Sequence, residues 1–282
     1  MKDPVITCPA LHKRIDDPDV VVLDGSWYLP GQERDAREEF AGLHIPGARF
    51  FDIDRISDPD TDLPHMVPTP DRFAREVESL GVSSGSRVVV YDGMGLFSAA
   101  RVWWLFRVFG HEDVSVLAGG LPEWERLGYP TTGEATDIRP GSFQARFDPQ
   151  RVASMDDITD NLETRDATVL DARPQARFLG RAPEPRPELP SGHMPGALSL
   201  PFTDLLREGQ LKPADELEQV FEGLGIRPDT SLITSCGSGV TASVITLALC
   251  RCGHGLQRLY DGSWTEWAGT PGNPIASDPA GD

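Results

Sequence analysis

Four blocks of this chain occur twice, in the same order, and that duplication constrains the fold more than any other feature. Val20-Val-Val-Leu-Asp24 matches Thr168-Val-Leu-Asp171, and His44-Ile-Pro-Gly-Ala48 matches His193-Met-Pro-Gly-Ala197. Arg87-Val-Val-Val-Tyr-Asp92-Gly-Met-Gly95 matches Ser231-Leu-Ile-Thr-Ser-Cys236-Gly-Ser-Gly239. Leu117-Ala-Gly-Gly120, followed by Trp124, matches Leu259-Tyr-Asp-Gly262, followed by Trp267. The partners are displaced by 142 to 149 residues, so insertions between blocks are small and one domain has been copied. The seam falls within 131–155, which is rich in Gly, Pro and polar residues and has no sustained apolar period. We therefore expect a first domain over 1–138, a linker over 139–152 and a second domain over 153–282.

Within each copy, short β-branched runs alternate with amphipathic stretches. Strands are expected at 20–23, 88–91 and 114–117, and again at 169–170, 232–234 and 257–259. Helices are expected at 71–80, 214–224 and 241–252. Near-continuous apolar strands separated by helices imply an α/β fold, with a mainly parallel sheet covered on both faces in each copy. Ligands on such sheets bind beyond the carboxyl ends of the strands.

Cys236 falls at such a strand end, in a glycine-bearing loop that leads into a helix. The unpaired N–H groups of the helix start and its positive dipole end favour thiolate over thiol, which is the setting of a nucleophile. The glycines let the loop curl with its amides turned inward. A buried structural cysteine after a strand is the alternative. The first copy has Asp92 at this position, which cannot act as a sulfur nucleophile, so the first domain is expected to supply walls and accessory residues.

Charge and composition remove several functional classes. With 39% hydrophobic and 25% charged residues the chain is an ordinary globular protein. A formal charge of −18 and the lack of a basic stripe argue against nucleic acid as a partner. No apolar run reaches the roughly 20 residues that span a bilayer, so no membrane partner is expected. The four cysteines lack the spacing of a disulfide framework, and the N-terminus lacks the apolar core of a secretion signal. A reducing cytoplasm is the expected location.

The blocks together resemble the two-domain rhodanese family of sulfurtransferases over almost the whole chain. Within it, Cys236-Gly-Ser-Gly-Val-Thr-Ala242 is similar to the loop of the 3-mercaptopyruvate sulfurtransferases. Thiosulfate sulfurtransferases usually carry basic residues after the cysteine, where this chain has Gly237 and Ser238. The resemblance implies two tandem rhodanese-like domains, with sulfur passing from 3-mercaptopyruvate through a Cys236 persulfide and pyruvate released. It implies a small-molecule sulfur donor, and a thiol, cyanide or a thioredoxin-type protein as acceptor. No cofactor and no metal are expected.

The same resemblance implies the remaining site residues. Arg177 and Arg186 match the arginines that bind the substrate carboxylate, a task for which a guanidinium fork suits a planar anion. Arg181, between them, reads as a bystander; surface arginines offsetting Glu184 and Glu188 remain the alternative for the pair. Gly237, Gly239, Val240 and Thr241 are expected to contact substrate. Ser238, His65 and Asp54 match a relay that protonates the pyruvate enolate. An exposed loop histidine and a capping aspartate are the alternatives for the last two.

Other conspicuous residues read as structural. His44 and His193 are expected to hold turns, and Asp24 and Asp171 to pin loops at strand ends. Trp27, Trp103, Trp104, Trp124 and Trp267 read as packing, with Trp264 a candidate wall of the site. The acidic stretch from Asp52 to Asp62 lacks the calcium-loop pattern and reads as solvated loop. Two other functions stay open: a sulfurtransferase acting on thiosulfate, and a non-catalytic rhodanese module that binds a partner.

Overall fold

The computed structural model describes residues 3–278; the expected domain limits at 1 and 282 lie outside them. The first copy has strands β1 (Val5–Ile6), β2 (Val20–Asp24), β3 (Arg49–Phe50), β4 (Arg87–Tyr91) and β5 (Val114–Leu117). Its helices are α1 (Cys8–His12), α2 (Ala36–Gly42), α3 (Ile53–Ile56), α4 (Pro70–Ser79), α5 (Ala99–Val108) and α6 (Gly120–Arg126). The second copy has β6 (Val152–Ala153), β7 (Thr168–Asp171), β8 (Leu198–Ser199), the hairpin β9 (Leu206–Arg207) and β10 (Gln210–Leu211), β11 (Leu232–Ser235) and β12 (Arg258–Tyr260). Its helices are α7 (Met155–Thr164), α8 (Gln175–Phe178), α9 (Ala214–Gly223), α10 (Ala242–Arg251) and α11 (Ser263–Gly269).

The two five-stranded sheets repeat one topology, β1-β5-β4-β2-β3 and β6-β12-β11-β7-β8, with parallel pairing throughout. The central strands, valine-rich in the first sheet, are buried on both faces as parallel strands require. The edge strands have two residues each, a length that offers little to a foreign strand. Helix starts are locally encoded. Thr69 caps α4 ahead of Pro70, and Ser154 forms a capping box with Asp157 on α7.

The expected linker does not hang free. Its first part lies across the first copy, where Gly141 donates to Glu78, Arg146 to Phe109 and Asp148 to Val108, with Phe143 buried. Val152 already pairs with Leu259 in the second sheet.

The helices that follow the two equivalent loops, α5 and α10, pack against each other at the centre of the molecule. Both are apolar nearly all round: every residue of α10 from Ala242 to Cys250 is buried, as are nine of the ten in α5. A helix without a polar face has to be covered on all sides, and here each copy covers the other. One apolar core therefore runs through both sheets, and each sheet's opposite face has its own smaller cluster. None of the helices among the described residues is long and apolar enough to cross a membrane.

Candidate active site

β11 delivers Cys236 to the carboxyl end of the second sheet, and the chain turns through Gly239 (φ 77°) into α10. The N-cap residue Thr241 makes no side-chain capping bond. Among the described residues, no protein acceptor takes the N–H groups of Gly237, Ser238, Gly239, Val240 or Thr241. Five free amides at an uncapped helix start leave positive potential for an anion at Cys236. The loop is tied down from its other side. Ser263 Oγ accepts from the Cys236 amide at 3.2 Å, Trp264 N–H donates to the Cys236 carbonyl at 2.9 Å, and Thr265 donates twice to the Gly237 carbonyl.

Cys236 is 2% exposed, yet it lies on a cleft of about 170 Å³ between the copies. Gly237, Ser238, Val240 and Thr241 line this cleft with Arg177, Arg186 and Trp264; the first copy adds Leu29, Met94 and Phe97. Gly239 departs from expectation. It does not line the cleft but turns behind it, its carbonyl facing Arg101 of the first copy. Burial pushes the thiols of Cys8 and Cys250 up to about 12 and that of Cys252 to about 11, which keeps these three protonated.

Arg177 and Arg186 differ in their surroundings. Arg177 shares Glu184 at 3.3 Å with the fully buried Arg173, whereas Arg186 lines the cleft with no ion-pair partner among the described residues. Arg173 organises this loop: its guanidinium holds Asp171, Glu184 and the Gly192 carbonyl and stacks on Trp264 at 4.2 Å. Arg181 sits outside the cleft, against the Asp278 carbonyl.

The first copy contributes a chain of contacts to Ser238. His65 Nδ1 lies 3.0 Å from Ser238 Oγ and 3.2 Å from the Ser238 carbonyl, and His65 Nε2 lies 3.0 Å from Asp54 Oδ1. An ionised carboxylate only accepts, so Nε2 carries a proton and Nδ1 can take the Ser238 hydroxyl proton. Once protonated, Nδ1 has the Ser238 carbonyl as acceptor. The hydrogen bond from His65 holds the Asp54 carboxyl below its usual range, burial opposing it and Trp27 and Arg186 assisting. His65 is 4% exposed, whereas the Asp54 side chain is 64% exposed, so the chain leads from the cleft to water. Capping of α3 falls to Asp52, not Asp54.

Trp27 packs against the core and stacks on Phe97, as expected, and reaches further. Its indole N–H donates to Asp54 Oδ2 at 3.1 Å and its ring meets His65 edge-on at 4.6 Å. Trp264 is a wall of the cleft. His44 and His193 hold matching turns, each with Nδ1 on a helix carbonyl (2.7 and 2.8 Å) and its ring stacked on a phenylalanine.

The rhodanese-like domain pattern matches this chain twice, over residues 7–127 and 154–270. The chain belongs to the rhodanese family. Among curated rhodanese relatives, it is 45% identical to a 3-mercaptopyruvate sulfurtransferase of Escherichia coli, over 94% of this chain and 95% of that one. It is 44% identical to thiosulfate/3-mercaptopyruvate sulfurtransferase 2 of Arabidopsis thaliana, over 97% of this chain and 86% of that one. The crystal structure of SseA from Escherichia coli, a 3-mercaptopyruvate sulfotransferase with the rhodanese fold, superposes with a TM-score of 0.85. That match has 43% identity over 93% of this chain and 99% of that one.

Proposed function

We propose that the protein is a sulfurtransferase that takes sulfur from 3-mercaptopyruvate. The Cys236 thiolate attacks the donor's sulfur; an S–S bond forms, the C–S bond breaks and its electron pair stays on carbon as the pyruvate enolate. The free amides of the loop receive the anionic persulfide. Arg186, aided by Arg177, receives the carboxylate. Ser238, backed by His65 and Asp54, carries the proton from the donor's thiol to the enolate carbon, so the half-reaction consumes no net proton. A thiophile such as cyanide, a small thiol or a reduced thioredoxin-type protein then removes the outer sulfur and restores the thiolate. The chemistry asks for no cofactor, and a reducing cytoplasm suits a reactive thiol.

One observation carries this reading: His65, held by Asp54, contacts Ser238 in the cysteine's own loop, an arrangement suited to relaying a proton. Thiosulfate releases sulfite, a stable anion that needs no proton on carbon, so transfer from thiosulfate would leave the relay without a task. The test compares the two donors in steady state with cyanide as acceptor. Pyruvate and thiocyanate should form in equal amounts from 3-mercaptopyruvate, with kcat/KM at least tenfold above that for thiosulfate. A preference for thiosulfate would overturn the donor assignment, and no persulfide with either donor would leave a binding module.

A further inference from the structure

We infer that Arg101 and Asp261 form a positioning clamp, reaching across the domain boundary, that seats His65 on Ser238. Neither residue lines the cleft, and both are buried, Arg101 completely. Arg101 stands on α5 of the first copy, with its guanidinium pointing into the second copy. Its Nη2 donates to Asp261 Oδ1 at 2.7 Å and to the His65 carbonyl, and its Nη1 donates to the Gly239 carbonyl at 3.4 Å. The other oxygen of Asp261 accepts the Val67 amide at 2.7 Å. The clamp thus grips the backbone at residues 65 and 67 on one side, and at the residue after Ser238 on the other.

What it grips explains why it is needed. His65 has φ 63°, a left-handed backbone that a non-glycine residue holds only when its surroundings impose it. Left to itself, the segment would relax and swing the imidazole away from Ser238. A guanidinium can serve three acceptors at once from a rigid plane, and its stacking on Trp104 at 4.6 Å fixes that plane; an ammonium has no such fork. The ion pair is internally neutral, so it adds order without adding net charge beneath the anion site. Gly239 also gains a second role. A Cβ there would stand 2.9 Å from Arg101 Nη1 and 3.2 Å from the Asp261 carbonyl, so the loop admits the clamp only because it is bare.

The clamp is argued through the relay and rests on the function proposed above. The test uses Arg101→Lys and Asp261→Asn in the full chain, with thermal unfolding as the check on folding. Because a misplaced catalytic group commonly costs one to two orders of magnitude, persulfide formation from 3-mercaptopyruvate should slow by roughly ten- to a hundred-fold. KM should stay within about twofold, and persulfide formation from thiosulfate should change little, since that step needs no His65. In a His65→Ala background the same substitutions should add less than about twofold. Nitrogen NMR of the His65 imidazole should show loss of its ordered N–H signal in both variants. Equal loss with both donors, additivity with His65→Ala, or an unchanged imidazole signal would each overturn the clamp. If the wild type makes no pyruvate, the donor assignment fails, while the NMR result still decides the clamp. Should the single variants unfold, Arg101→Met with Asp261→Leu removes the pair without leaving a lone buried charge, and the same measurements apply.

Discussion

The Asp92 loop and the Cys236 loop occupy the same place in two copies of one fold, and their amides are used differently. In the first copy the Asp92 carboxylate accepts from the amides of Met94, Phe97 and Ala99 at 2.7–2.9 Å. The loop's own side chain fills the cradle that the second copy leaves free. The hairpin tip also presses on this loop: a Cβ on Gly95 would lie 2.9 Å from the Gly209 carbonyl. In the second copy Cys236 takes up none of the loop amides, and a cleft opens above it. Loop amides at equivalent places are therefore taken up by a side chain in one copy and left free in the other. What separates them is whether the loop carries its own acceptor.

A second pair of positions makes the same point. Asp24 and Asp171 end equivalent strands, and each accepts the amide two residues on, from Ser26 at 2.8 Å and Arg173 at 2.9 Å. Arg173 returns a guanidinium to Asp171 and reaches on to Glu184, which steadies Arg177. Ser26 has no charge to return. Burial therefore pushes the Asp24 carboxyl up to about 6 despite its hydrogen bonds. At the i+2 position the second copy thus has an arginine that ties its strand end to the loop carrying Arg177, where the first copy has only a serine.

The comparison is broken hardest at the cysteine. Cys236→Ser should abolish transfer, since a hydroxyl at this site cannot become a persulfide. Mass spectrometry after donor treatment should find one added sulfur on the wild type and none on the variant. Cys236→Asp should be equally dead and yet unfold no earlier than the serine variant, because its carboxylate can occupy the free amides as Asp92 does. A lower melting temperature than Cys236→Ser would show that the two loops are not interchangeable cradles.

The arginines give the next largest effect. Arg186→Ala should raise KM for 3-mercaptopyruvate roughly ten- to a hundred-fold, the usual cost of a charge-assisted contact of about 1.5–3 kcal/mol. Arg177→Ala should do less, because Glu184 already shares its charge, and Arg181→Ala should do least. Equal effects at all three positions in steady-state kinetics would reduce the pair to general loop charge.

The smallest effect belongs to the uncompensated Asp24. An acid whose folded pKa is raised destabilises the fold once pH exceeds its unfolded value, and the loss is complete above the folded value. The window here runs from the ordinary aspartate range near 4 to about 6. Asp24→Asn should therefore stabilise the protein by about 1–2 kcal/mol at pH 7 and by almost nothing at pH 4, measured by denaturant unfolding. The same gain at both values would mean that the Asp24 carboxyl titrates alike in the folded and the unfolded chain.

Much of the fold was legible because parallel strands are written as unbroken apolar runs: the expected strands at 20–23, 88–91, 114–117 and 232–234 differ from the observed ones by a residue at most. The strands β1, β3, β6 and β8 carry two residues each, too few for any period to register. Cys236 announced itself through its loop. The contact of His65 with Ser238 spans 173 residues and leaves no local mark, so only the family resemblance pointed to it. Arg101 did leave a mark that went unread. An arginine inside an otherwise apolar helix start has to find a buried partner, and Asp261 lies in the Tyr260-Asp-Gly-Ser-Trp264 block. Trp27 packs as its sequence suggests, but its bond to Asp54 was not legible, because a tryptophan's indole N–H gives no sign in sequence of which carboxylate it serves.

The pairing of α5 with α10 sets how the molecule comes apart. Neither copy owns a complete core, because the central helix of each is roofed by the central helix of the other. Melting one half would strip apolar surface from its neighbour and cost the neighbour its own stability. A sequence that reads as two repeats should thus denature in a single cooperative transition. With α5 and α10 locked together, the cleft between the halves should neither open nor close by domain swinging.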